Sequence, residues 1–246
     1  MPGFNEDFTG REWKKVWAEE FDRNGLPDPK RWDYETGKVR NNELQFYTKR
    51  GENARIENKQ LLIEGRKEAY QGSEYTAASL ITLGKTVWQY GRFVIRAKLP
   101  KALGTWPAIW MLGDDISKVG WPRCGEIDIM EHVAHNPGVI HATVHQADST
   151  GKHISQGGTI RVPDCMDRFH VYAMEWYPDR LDFFVDDKKF FTYANDGKNV
   201  WTFDKKYYLL VNLAIGGSWG GQKGVDATAF PQQYLIDFIR VYEKRG

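Results

Sequence analysis

The chain has 246 residues, with 34 Lys plus Arg against 33 Asp plus Glu and a formal net charge of +1, so no net field draws it to nucleic acid or to a membrane surface. No apolar run approaches the ~18 residues of a spanning helix, and two cysteines, Cys124 and Cys165, are too few for a disulfide framework; one bridge and two buried thiols both stay open. Aromatic content is high, with 10 Trp, 12 Tyr and 13 Phe, which suits strands, large cores and, where rings are exposed, the apolar faces of pyranose rings.

The N-terminal stretch Met1 to Asn5 lacks the basic-then-apolar pattern of a secretory leader, so either the protein is cytoplasmic or its leader is absent from this sequence. Val16–Asp22 reads as a first strand, closed by Asn24, Gly25 and Pro27. Leu44–Tyr47, Ala54–Glu57 and Gln60–Glu64 are short strands set apart by Gly51, Asn53 and Asn58-Lys59. Ala77–Thr82 follows, then Tyr90–Lys98, where Phe93, Ile95 and Ala97 alternate with Arg92, Val94 and Arg96. Beyond an acidic stretch come Val139–Gln146, Phe169–Trp176, Arg180–Val185, Lys188–Tyr193, Tyr207–Ala214 and Tyr234–Tyr242, with Asp179 and Asp186-Asp187 marking turns. A dozen or more short strands at fairly regular spacing predict a sandwich or barrel. No linker or repeat divides the chain, so residues 1–246 read as one domain. The run Gly216 to Gly221 predicts a flexible loop that displays Trp219 and lets backbone approach a ligand.

The acidic stretch Cys124-Gly-Glu-Ile-Asp-Ile-Met-Glu-His132 places Glu126, Asp128 and Glu131 within six residues. On a strand Glu126 and Asp128 share one face, and Glu131 falls on the other. A β-bulge near Met130 would return Glu131 to the same side, giving two Glu side chains the spacing from which carboxyls reach the ~5–5.5 Å of a double-displacement glycosidase. A solvated acidic edge strand has the same pattern. Ala134–Gly138 reads as a turn, so residues 139–146 return antiparallel; in an assumed register with Glu131 opposite His141, Asp128 faces Thr143 and Glu126 faces His145. His145 would then meet a carboxylate or a sugar hydroxyl; a zinc-binding histidine pair, without standard zinc spacing, and two satisfied surface histidines are the alternatives. Three acids on one face cannot all stay ionised near neutral pH, so one pKa must rise. Trp106, Trp110 and Trp121 flank the stretch as candidate stacking platforms.

The combined pattern resembles the bacterial laminarinases of glycoside hydrolase family sixteen. It rests on Gly104 to Leu112, Trp121-Pro, Gly125 to Glu131, Asn41 to Thr48, Tyr90 to Phe93, Phe169 to Tyr172 with Glu175-Trp176, and Asp237 to Tyr242, and so spans nearly the whole chain. The resemblance implies an all-β jelly-roll sandwich of two antiparallel sheets with a substrate cleft on the concave face. It implies retaining endo-hydrolysis of β-1,3-glucan, with mixed-linkage β-1,3-1,4-glucan as an overlap. The two-residue gap between Asp128 and Glu131 resembles laminarinases and marine galactanases rather than lichenases, and the stretch Trp106 to Trp110 favours the laminarinase side. By the same resemblance Glu126 is the nucleophile, Glu131 the general acid/base and Asp128 the supporting acid. Trp106 and Trp110 would line the glycone side, Asn41 and Arg66 would bind hydroxyls, His145 would sit near the cleavage point, and Trp219 would close one end. No cofactor is required for catalysis, and a structural calcium ion is implied at Glu20 and Gly65 through backbone oxygens and at Asp237 through its carboxylate. The implied partner is a β-glucan, not nucleic acid or a membrane; the implied state is a monomer, and the implied location extracellular. A non-catalytic β-glucan-binding protein and a transglycosylase on the same fold are the alternatives.

Overall fold

In the segment Gly91–Lys98 the predicted alternation is realised: Phe93, Ile95 and Ala97 are fully buried between two sheets. Val94, on the opposite face, is also covered, in a smaller cluster with Trp13, Val171 and Phe238. The computed structural model describes residues 12–198 and 200–245; residues 1–5, read above for a leader, lie outside them.

The strands are β1 Trp13–Glu19, β2 Asp33–Tyr34, β3 Gln45–Tyr47, β4 Ala54–Glu57, β5 Gln60–Tyr70 and β6 Ser73–Ala77. Next come β7 Ser79–Ile81, β8 Gly91–Lys98, β9 Thr105–Gly113, β10 Glu126–Glu131, β11 Val139–Ala147 and β12 His153–Arg161. The last are β13 His170–Trp176, β14 Arg180–Val185, β15 Lys188–Ala194, β16 Tyr207–Ile215 and β17 Gln232–Lys244. Two single-turn helices, α1 Ile116–Val119 and α2 Gly217–Gly220, interrupt them. One sheet runs β15-β14-β13-β8-β17-β5-β6-β3, with β1 added to β17 and β4 to β5; the other runs β12-β11-β10-β9-β16-β7-β2. This is the expected jelly-roll sandwich, with one departure: β3 pairs β6 in parallel.

Two strands at the site were not legible beforehand. β9 is buried on both faces along nearly its whole length, so it has no period-two signal to read. β12 is largely exposed and polar; continuous pairing to β11 from Val139↔Arg161 to Ala147↔His153 makes it a strand. The first strand begins at Trp13, earlier than read, and a register shift between Lys15 and Trp17 sits on its pairing with β17.

Between the sheets, Phe93 and Ile95 of β8 share one core with Ile109 and Met111 of β9, Ile127 of β10 and Leu209 and Val211 of β16. The opposite face of β9, β10 and β16 is therefore the one that carries polar function. Both cysteines are free and buried, in different clusters, and burial pushes the Cys124 thiol up to about 11, which leaves it unsuited to nucleophilic work.

Candidate active site

The three acids meet on one face because β10 carries an extra residue. Against β9, Asp128 pairs with Trp110 and Met130 with the very next residue, Ile109. Ile127, Ile129 and Met130 all enter the core at 0–1% exposure, while Glu126, Asp128 and Glu131 line a cleft of about 640 Å³ on the other side. Burying two consecutive apolar side chains stabilises by ~1.5–3 kcal/mol each, which outweighs the ~1 kcal/mol of one lost ladder bond. The bulge is thus fixed by the core. On the other edge, Glu126 pairs with His145, Asp128 with Thr143 and Glu131 with His141, which matches the register assumed above.

Each Glu has its own indole donor. Trp106 Nε1 donates to Glu131 Oε1 at 3.0 Å, and Trp121 Nε1 donates to Glu126 Oε2 at 2.8 Å. His145 Nε2 lies 3.1 Å from Asp128 Oδ2 and 3.8 Å from Glu126 Oε1, while its Nδ1 meets His153 Nε2 at 2.9 Å. The His145–Asp128 approach is close but off the hydrogen-bonding direction, so Asp128 Oδ2 has no aligned donor among the described residues.

Burial raises the pKa of all three carboxyls, not of one alone. Asp128, 2% exposed, is pushed well above the usual range, first by burial and then by the charge of Glu126. Glu131 is also pushed well up by burial and by the Asp128 charge, with the Trp106 hydrogen bond opposing. Glu126 rises by burial too, but His145, the Trp121 N–H, Arg40 and a hydrogen bond from Asp128 all favour its anion. The pair is therefore differentiated: Glu126 is the better-supported carboxylate, and Glu131 the better-held acid.

The remaining expected residues divide. Trp106, Trp110, Trp121, His145, Asn41 and Trp219 all line the cleft. Of the four tryptophans Trp121 is the most open, at 48% exposure. Trp110 is buried, donates to Asn212 Oδ1 at 2.7 Å and carries the Arg40 guanidinium 4.8 Å from its ring centroid, so a cation already occupies one of its faces. The glycine-rich segment is not a loose loop: α2 is tied down by Gly216 N–H to Gly104 O and Ser218 N–H to Asn41 O, both at 2.8 Å, and Trp219 packs edge-on against Trp106 and His141.

Arg66 is misplaced by the sequence reading. It lies on β5 in the other sheet, paired with Glu64, and is not among the side chains lining the cleft. The arginine that reaches the cleft is Arg40, anchored by Glu35. Glu43 and His153 also line it unforeseen: Glu43 is a buried carboxylate accepting from Gln45 and Tyr47, and His153 sits on the strand that was not read.

The implied calcium ligands do not fit one ion. Gly65 pairs with Gln232, five residues along β17 from Asp237, or roughly 16 Å at ~3.3 Å per residue. Gly65 faces inward, where an added Cβ would lie 3.1 Å from Ile215 and 3.2 Å from Leu213. The Asp237 carboxylate, the one side-chain ligand implied, pairs with Arg96.

A two-sheet sandwich with two indole-anchored Glu residues on one strand face lining a cleft has clear relatives. The family model for glycosyl hydrolases family 16 matches residues 32–240. The chain belongs to that family. A β-glucanase of Rhodothermus marinus is 49% identical over 98% of this chain and 89% of its own length. The crystal structure of the laminarinase from Rhodothermus marinus, also 49% identical, superposes with a TM-score of 0.89, covering 95% of this chain and 98% of that one. SCLam, a non-specific endo-β-1,3(4)-glucanase of family GH16, superposes with a TM-score of 0.89 at 45% identity, covering 96% and 93%.

Proposed function

We propose that the chain is a retaining endo-β-1,3-glucanase acting on laminarin-like β-glucan, with mixed-linkage β-1,3-1,4-glucan as an overlapping substrate. The observation that carries this reading is the pair Glu126 and Glu131 on one strand face, each held by a separate tryptophan and differing in proton affinity. Relatives acting on β-1,3- and β-1,3(4)-glucans at 45–49% identity support the substrate class.

In this mechanism the Glu126 carboxylate attacks the anomeric carbon as Glu131 gives its proton to the departing glycosidic oxygen. Trp121 holds Oε2, which presents Oε1 to the sugar. Water then enters, Glu131 takes its proton, and the glycosyl–Glu126 bond breaks with net retention. Asp128 donates to Glu126 in the resting site and orients it, and His145 stabilises the negative charge that Glu126 regains. Trp106, Trp121 and Trp219 offer ring surfaces to successive sugars, and Asn41 offers an amide. A polymeric substrate that does not cross membranes favours an extracellular place of action.

The test is reducing-end release from laminarin and lichenan, with agarose as control. Proton NMR should show β-anomer first, and Glu126→Ala should lose turnover yet form an α-glycosyl azide when azide is supplied. Failure to release reducing ends from laminarin at any pH would overturn the reading; tight laminarin binding without turnover would point to a glucan-binding protein instead.

A further inference from the structure

One donor atom from each of Glu126, Asp128 and His145 lies within 4.8 Å of the other two. The separations from His145 Nε2 are 3.1 Å to Asp128 Oδ2 and 3.8 Å to Glu126 Oε1. In a tetrahedral zinc site with bonds of about 2.0–2.2 Å, neighbouring donor atoms stand about 3.3–3.6 Å apart, and the two separations bracket that edge.

The donors are also held from behind in the way a metal site requires. Trp121 occupies Glu126 Oε2 and leaves Oε1 free. His153 meets His145 Nδ1 at 2.9 Å with its ring stacked at 15°, which fixes Nε2 toward the carboxyls; a partner on the second ring nitrogen is the usual companion of a metal-bound histidine. Asp128 is 2% exposed, and its Oδ2 faces this gap without an aligned donor among the described residues. A buried acceptor left so is costly unless something enters to satisfy it. One imidazole with two carboxylates suits Zn2+ better than the oxygen-only preference of Ca2+ or Mg2+.

We propose that Glu126, Asp128 and His145 form a site for one divalent transition-metal ion of the Zn2+ type, with its fourth position open to the cleft, and that the bound ion switches hydrolysis off. The ion would ligate the very oxygen that must attack the sugar, so metal and substrate exclude each other. The switch rests on the glucanase reading above; the binding site does not.

Calorimetry of the metal-free chain with zinc chloride tests the site, and kinetics on laminarin test the switch. One ion should bind per chain, and calcium chloride should not displace it. His145→Gln and Glu126→Gln should each weaken binding at least ~10-fold while the thermal midpoint without zinc stays unchanged, and His153→Phe should weaken it about 10–100-fold. Absence of stoichiometric binding, or full binding in both His145→Gln and Glu126→Gln, would overturn the site. Zinc should raise the apparent KM for laminarin and leave kcat unchanged; a fall in kcat at constant KM would overturn the switch. A chain that bound zinc normally yet never cleaved laminarin would refute the glucanase reading and leave the metal site standing.

Discussion

Trp121 donates its indole N–H to Glu126 Oε2 at 2.8 Å, from a position five residues earlier in the chain and at the open side of the cleft. A hydrogen bond to an ionised group is worth about 1.5–3 kcal/mol, and here it favours the anion against burial. Trp121→Phe keeps a ring and removes the donor. The expected result is a ~10-fold or larger fall in kcat/KM, with the acidic limb of its pH profile moved upward, measured by steady-state kinetics on a defined laminari-oligosaccharide.

The pH profile should be bell-shaped and displaced upward on both sides. In the proposed mechanism Glu126 must be ionised, and its pKa is raised from the ordinary 4.5, so activity is lost as pH falls through that raised value. In the same proposed mechanism Glu131 must be protonated, and burial holds its pKa well above 4.5, so activity is lost only as pH climbs through that raised value. Glu131→Gln should abolish the basic limb and lower kcat/KM by about 10²–10⁴-fold. An unchanged basic limb in that variant would assign the limb to another group.

His132 makes the fold sensitive to acid. It is fully buried, neither ring nitrogen has a hydrogen-bond partner among the described residues, and burial lowers its pKa from 6.5 to about 4. Between those values the unfolded chain binds a proton that the folded chain refuses. Stability therefore falls as pH drops through the window, by up to ~3 kcal/mol, and levels off below it. His132→Phe should flatten this part of the stability curve, read from urea unfolding at about pH 7 and about pH 4.5.

Gly125 leads into the acidic strand at φ +74°, and a Cβ there would run into Tyr207 Oη, which donates to Thr202 O. Gly125→Ala meets both left-handed strain of about 1–3 kcal/mol and a clash with a buried, hydrogen-bonded phenol. A drop in thermal midpoint of roughly 5–10 °C is expected, together with lost activity as Glu126 shifts. Gly120→Ala, at φ +69° with no atom within 4 Å of the added Cβ, isolates the strain from the clash.

Period-two alternation is a local property of the chain. The sequence alone therefore determined that Glu126 and Asp128 share a face, that Glu131 needs a bulge to join them, and that a short turn returns the next strand antiparallel; the paired strands decide that His145, Thr143 and His141 stand opposite the acids. The same locality made β8, β13, β14 and β17 legible as strands of a sandwich. What surrounds the acids is a non-local matter. Trp106 and Trp121 reach different carboxylates because β9 lies beside β10 and the segment after α1 returns over it. Arg40 covers Trp110, and His153 backs His145, through contacts that no spacing along the chain encodes. Arg66 and Gly65 failed for the same reason: whether β5 residues face the cleft, the core or solvent depends on its register with β17 and β6, which only the packed sheets decide.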